Sequence, residues 1–389
     1  MHDYGMLRVG STFGLMLVAC ASFCAMADDY RQHPDSTDEY NVKLEEYLRA
    51  QQQFEAANKI YWGTIAEKRR LRTQKRRKKE AVGIDDYVLS QPPVYSGPPR
   101  PIDPSGAPEP PPPKRTIPVV ADFLKSAAQY FNFIPRRPQS ELEFKRAYAA
   151  VAAAARISRE QAVRIYAFEA SGDGTYDVQA GLEHPGRPGA QAISTALGYN
   201  QLLATNSIEL MAQKGNEFIE ALSQNSRALS GDSKEMMDAK LSVLRRMVDF
   251  CRTVPDEWGE YGKLARSPPG LGVHALNLDL DVGPLLQTQQ LLVSILYARR
   301  NGHGPVLTAA ELEMMNLTGD SNGLDMITMP IDIRLQVPTA NFFERLGYER
   351  NPIAIRNNVV ATLMDATNAV MDREMKLEGA KDLAAVFPD

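Results

Sequence analysis

Two stretches decide how this chain is read: Ala167-Phe168-Glu169-Ala170-Ser171-Gly172-Asp173-Gly174 and, downstream, Ser194-Thr195-Ala196-Leu197-Gly198-Tyr199-Asn200-Gln201-Leu202-Leu203. Before the first, Ser158-Arg159-Glu160-Gln161 has the S-x-x-Q form of a capping box, and Ala162, Ile165 and Tyr166 follow on one apolar face. The spacing predicts a helix that runs into Glu169 and is broken by Gly172 and Gly174. Ser140-Glu141-Leu142-Glu143 opens another helix, followed by the Ala-rich stretch Arg146 to Arg156. Residues 208–222, 233–253, 283–300 and 353–375 also carry helical spacing. Strand signals are few: 173–180 reads as a short hairpin arm, and Met329 to Val337 alternates weakly. The expected fold class over 119–389 is therefore mainly α, with a minor β hairpin.

Toward the N-terminus the composition changes abruptly. Residues 91–118 hold 12 of the 26 Pro, including Pro110 to Pro113, which excludes helix and central strand and predicts a semi-rigid linker. Residues 28–90 contain a heptad seam of Tyr40, Leu44, Tyr47, Gln51, Phe54, Asn58, Tyr61 and Ile65. It predicts one long amphipathic helix that either self-associates through 40–65 or lies on the rest of the protein. That helix ends in a basic run, 68–79, in which nine of twelve residues are Lys or Arg. The run is either a solvated charge face or a contact for an anionic envelope polymer or membrane surface. Residues 1–27 read as a signal peptide: an apolar stretch from Val9 to Ala27 closes on Ala25-Met26-Ala27, an A-x-A site. The chain is thus expected to be periplasmic or secreted, with outer-membrane lipidation at Cys20 as the alternative.

The whole-chain averages hide this division. The 389 residues carry 44 Lys+Arg against 48 Asp+Glu, a net charge of −4, which excludes a general nucleic-acid binder. Residues 28–118 carry a net +2, and residues 119–389 a net −6. Three Cys, with no CxxC or CxxH spacing, exclude a disulfide framework and a zinc site, and leave Cys251 as a lone buried thiol. The His residues stand at no metal or triad spacing.

The order of the two opening stretches resembles the lysozyme superfamily, in the form found in lytic transglycosylases and phage endolysins. There, a Glu at a helix end precedes an S-x-A-x-G-x-x-Q segment on the loop and helix that floor the cleft. Ala167 to Ser171 takes the place of the Glu segment, and Asn200 to Thr205 that of the hydrophobic stretch after the Gly. Leu312-Glu313-Met314-Met315-Asn316-Leu317-Thr318-Gly319 is similar to the family's Ala-Tyr-Asn-Ala-Gly element. The resemblance spans about residues 155–320, with 172–192 as an insertion.

It implies cleavage of the β-1,4 bond between N-acetylmuramic acid and N-acetylglucosamine, with peptidoglycan glycan strands as partner and with no metal or organic cofactor. Glu169 would be the acid/base. An acid working on a glycosidic oxygen needs its proton held toward neutral pH, which burial among apolar groups provides. Tyr199 is the expected wall facing Glu169, and Gln201, Asn316 and Ser194 the expected substrate-binding groups. A transglycosylase needs no second carboxylate. A hydrolytic muramidase does, and Asp173 or Asp177 would supply it. The reading from another class is a non-catalytic envelope-binding scaffold that keeps the fold.

Overall fold

The computed structural model describes residues 37–103, 116–182 and 190–388. The expected signal peptide at 1–27 with Cys20, residues 104–115 of the Pro-rich stretch and 183–189 of the insertion lie outside them. Among the described residues there are sixteen α-helices: α1 (Thr37–Arg77), α2 (Val120–Phe131), α3 (Glu141–Ala154), α4 (Arg159–Glu169), α5 (Ala204–Ser226), α6 (Gly231–Cys251), α7 (Trp258–Ala265), α8 (Pro268–His274), α9 (Gly283–Arg300), α10 (Ala309–Thr318), α11 (Asp320–Thr328), α12 (Ile331–Arg334), α13 (Arg345–Glu349), α14 (Pro352–Arg356), α15 (Val360–Glu374) and α16 (Glu378–Ala385). They divide into a larger unit of 117–330 with 361–388, and a smaller one built on α1 with 331–360.

In the smaller unit α1 is a single helix of 41 residues. Tyr61 and Ile65 of its seam are buried, and the start of the Pro-rich stretch runs back along that seam. The Tyr61 hydroxyl donates to the Ser90 carbonyl (2.9 Å), and Tyr95 meets Phe54 and Tyr47 edge-on at 5.5 and 6.3 Å between ring centres. This differs from the expected free-standing spacer. Around Tyr95 and Gly97 the Pro-rich stretch is docked on α1, against Tyr47, Ala50 and Phe54. A Pro-rich chain suits this, because little conformational freedom is left to lose on docking.

Much of the basic run is likewise used inside the smaller unit. Arg72 is fully buried and donates to the carbonyls of Asp86 (3.0 Å) and Asn341 (3.2 Å), with its guanidinium 4.4 Å above the Tyr87 ring. Arg69 donates to the Phe343 carbonyl at 2.7 Å and pairs with Glu344. Lys75 pairs with Asp86 at 2.7 Å, and Lys68 donates to the Tyr87 carbonyl at 3.0 Å. A run that reads as a solvated charge face is therefore partly an internal clamp.

Residues 119–389, expected as one domain, are interrupted. The chain leaves the larger unit after Pro330 and returns at Ala361. The helix expected over 353–375 is broken at Asn357-Asn358, where the Asn358 carbonyl accepts from Thr339 N–H (3.1 Å) and Val360 N–H donates to Val337 (3.0 Å). The weak strand signal at 329–337 is a short helix, α12, after Pro330.

The larger unit is a helical assembly in which α5 packs with α6, α7 and α8, α9 lies along α3, and α4 touches α10, α16 and α3. Ile208, Met211, Leu244, Met247, Cys251, Val273 and Leu286 belong to its core. The hairpin expected from 173–180 is not a ladder. Three backbone bonds join 178–180 to 193–198, with isolated bridges at Gln179↔Leu197 and Leu197↔Leu202. Residues 173–177 are spent on turns: Asp177 accepts from Thr175 Oγ1 at 2.8 Å, and Asp173 from Gly379 N–H at 2.8 Å.

Candidate carboxyl site at the end of helix α4

Helix α4 starts at the expected capping box: Gln161 N–H donates to Ser158 Oγ (3.1 Å), and Ser158 N–H to Gln161 Oε1 (3.0 Å). It ends at Glu169, and the next turn is forced into the left-handed region twice in succession, at Ser171 (φ 54°) and Gly172 (φ 67°). A Cβ on Gly172 would stand 2.4 Å from the Glu374 carbonyl, so the position admits only glycine. Tyr166 Oη donates to the Gly174 carbonyl at 2.8 Å, and Asp173 holds the first turn of α16. These bonds fix the turn that follows Glu169, and with it the end of α4.

Glu169 faces α10. That helix has its own capping box, Thr308 with Glu311, and carries Asn316 two residues before its end. Asn316 Nδ2 donates to Glu169 Oε1 at 2.7 Å, joining side chains 147 positions apart. One turn earlier on α10 is Glu313, whose carboxyl faces Glu169 and the Asn316 amide. Glu313 is fully enclosed and Glu169 is 1% exposed, whereas Asn316 is partly exposed. Burial first, and then the neighbouring Glu169 carboxyl, push the Glu313 pKa well above the usual carboxylate range. Two adjoining carboxyls in a dry site cannot both ionise, so the pair retains at least one proton at neutral pH.

The other expected site residues lie elsewhere. Tyr199 is fully buried and does not wall Glu169. Its hydroxyl donates to Glu141, and its ring packs against Tyr166 at 4.6 Å, with Tyr148 and Phe144 on its other edges. It therefore supports α4 from behind. Gln201 is buried in a left-handed conformation (φ 43°), and its Nε2 donates to the carbonyls of Gly198 (2.8 Å) and Val178 (3.3 Å). It closes a tight turn and does not present its amide for a sugar. Ser194 accepts from Ala196 N–H (3.1 Å) and from Gln179 Nε2 through its carbonyl (3.0 Å), a local loop role. Asp177 is ion-paired with Arg137, and Asp173 is held by α16, so neither pairs with Glu169. Of the expected residues, the structure brings together Glu169 and Asn316.

The S-x-A-x-G-x-x-Q loop is held by a buried polar network. His274 Nε2 donates to the Thr195 carbonyl (2.8 Å), which leaves Nδ1 to accept from the Ser207 hydroxyl (2.8 Å). Asn277 Nδ2 donates to Ser207 Oγ (2.9 Å), and Gln287 Nε2 donates to Asn277 Oδ1 (2.8 Å) and the Leu197 carbonyl (3.0 Å). A Cβ on Gly198 would stand 2.7 Å from Gln287 Nε2. A concavity of about 810 Å³ lies apart from Glu169, lined by Phe133, Met236, Met237, Lys240 and Arg246 among others.

Glu313 is not among the site residues expected from the sequence. Its signal is the three-residue step to Asn316, which puts both on one face of a helix. Compared with known proteins, the chain matches no protein-family model, no curated protein and no solved structure.

Proposed function

We propose that the larger unit is a lysozyme-like domain that cleaves the β-1,4 bond between N-acetylmuramic acid and N-acetylglucosamine by transglycosylation, in an exported protein. The observation that carries this is the 2.7 Å bond from Asn316 to Glu169, which unites two of the three segments of the sequence resemblance. In this reading Glu169 gives its proton to the glycosidic oxygen as the C1–O bond breaks. The resulting carboxylate then takes the proton of the muramyl 6-hydroxyl as that oxygen bonds to C1. The hydrolytic alternative is disfavoured by the commitment of Asp173 to α16 and of Asp177 to Arg137. The exposed end of the basic run, including Arg77 and Lys79, is what remains for an anionic envelope polymer or lipid surface.

A non-catalytic scaffold is favoured by one observation, the near-complete enclosure of Glu169. Digestion of purified sacculi by the full chain and by Glu169→Gln decides between the readings. Anhydromuramyl products from the wild type, lost in Glu169→Gln, support transglycosylation, and reducing ends indicate hydrolysis. Equal inactivity of both proteins favours the scaffold.

A further inference from the structure

We propose that Glu313 is a positioning residue: a neutral carboxylic acid that donates a hydrogen bond to Glu169 whenever Glu169 is ionised. The inference rests on the cleavage reading above and assigns a role to a residue to which the resemblance gives none.

The geometry has three parts. Glu313 and Asn316 are one helical turn apart on α10, and both address the Glu169 carboxyl. The Glu313 side chain is sealed from water, and neither of its oxygens accepts from an N–H or O–H donor meeting hydrogen-bond geometry among the described residues. Two carboxyl groups face each other only if a proton lies between them. The surrounding elements supply no cation to change this. From α4, Arg164 is turned to Asp372 and Glu160. α11 carries acids and no cation: Asp320, which accepts from Ser294 of α9 at 2.6 Å, and the buried Asp325. The charged residues of α9, Arg299 and Arg300, lie at its exposed end. The charged group that acts on Glu313 is the Glu169 carboxyl, which opposes its ionisation.

The proton on Glu313 therefore stays where it is through the reaction. When Glu169 releases its own proton to the leaving oxygen, the new carboxylate accepts from Asn316 Nδ2–H and from the Glu313 hydroxyl. When Glu169 takes a proton from the attacking hydroxyl, those two bonds weaken again. Glu313 stabilises the ionised form that both half-reactions pass through, without exchanging a proton with substrate.

The test is the pH profile of product release from sacculi by the full chain, read with two variants. In Glu313→Gln the amide remains a neutral donor, so the alkaline limb stays within about half a pH unit of wild type. In Glu313→Leu the donor is lost and ionised Glu169 is less stabilised. The alkaline limb then moves up by about one pH unit or more, and the rate falls about tenfold or more. A downward shift in Glu313→Gln would mean that Glu313 is ionised in the wild type and would overturn the inference. A Glu313→Leu profile identical to wild type would overturn it too. A separate readout does not depend on turnover: the infrared difference spectrum of wild type minus Glu313→Gln at pH 8 should show the carbonyl stretch of a protonated, buried carboxyl. Its absence overturns the inference even in an active enzyme. Its presence in a wild type that digests nothing rejects cleavage, and with it the positioning role, leaving the pair a structural one.

Discussion

Replacing Arg72 by Met tests whether the basic run belongs to the fold or to a partner. Met keeps the unbranched stem that packs in the smaller unit and removes only the guanidinium. That group is fully buried, donates to the Asp86 and Asn341 carbonyls at 3.0 and 3.2 Å, and lies 4.4 Å from the centre of the Tyr87 ring. Losing hydrogen bonds from a charged donor costs roughly 1.5–3 kcal/mol each, and the Asn341 carbonyl keeps a weaker donor in Arg69 at 3.4 Å. The stacking adds about 1 kcal/mol. The expected loss is about 3–4 kcal/mol, set against a total stability of about 5–15 kcal/mol for a domain. Trp62 packs against Tyr61 and Tyr348 in the same unit, so in a Trp258→Phe background its emission reports that unit alone. With a urea slope of about 1–2 kcal/mol/M, the midpoint should fall by about 1.5–4 M. Arg77→Met, at an exposed position of the same run, should stay within about 0.5 kcal/mol of wild type. The clamp is refuted if Arg72→Met unfolds at the wild-type urea concentration, and doubly so if it then loses affinity for vesicles of anionic lipid.

Two further outcomes separate supporting roles from direct ones. Tyr199→Phe removes the hydroxyl bonded to the half-buried Glu141, which should cost about 1–3 kcal/mol and lower Tm by several degrees. Sacculus digestion at a temperature well below Tm should stay within about twofold of wild type; a large rate loss with unchanged Tm would return Tyr199 to the substrate. Burial holds the His274 pKa at about 4, below its ordinary 6.5, so the unfolded chain binds the proton first as pH falls. Stability from this group is complete above pH 6.5 and is lost down to pH 4, by about 3 kcal/mol in all. The urea midpoint of wild type should therefore fall more between pH 7 and 4.5 than that of His274→Gln; parallel curves would contradict the buried neutral imidazole.

How far the sequence could be read depended on whether the signal was local. Ser158 with Gln161 specifies its helix start by itself, and both bonds of the box are present. The seam of α1 was legible because its period is a property of one helix. What covers that seam was not, since Tyr95 meets Phe54 and Tyr47 across a long reversal of the chain. Arg69 and Arg72 illustrate the same limit more sharply: nothing near them announces acceptors at 341–343. At the candidate site, Glu169 and Asn316 were legible as types at motif-like positions. Tyr199 and Gln201 were legible as important but not as buried, because a turn with Gly198 at φ 80° points side chains inward where a helix start would not. The broken helix at Asn357-Asn358 was hidden by apolar spacing that continues on both sides.

The interruption of the larger unit by 331–360 has a consequence for the order in which the protein is made. The guanidinium of Arg69 finds the Asn341 carbonyl 272 residues later in the chain. At roughly 5–20 residues per second, α1 must wait some tens of seconds after its own synthesis before residues 341–344 exist to receive it. Throughout that interval Arg69 and Arg72 have no completed seat, and Trp62 lacks the Tyr348 ring that packs against it in the finished unit. A helix made early, α1, is thus among the last to be secured. A ribosome stalled at residue 330 would carry most of the larger unit together with an N-terminal helix that cannot complete its own.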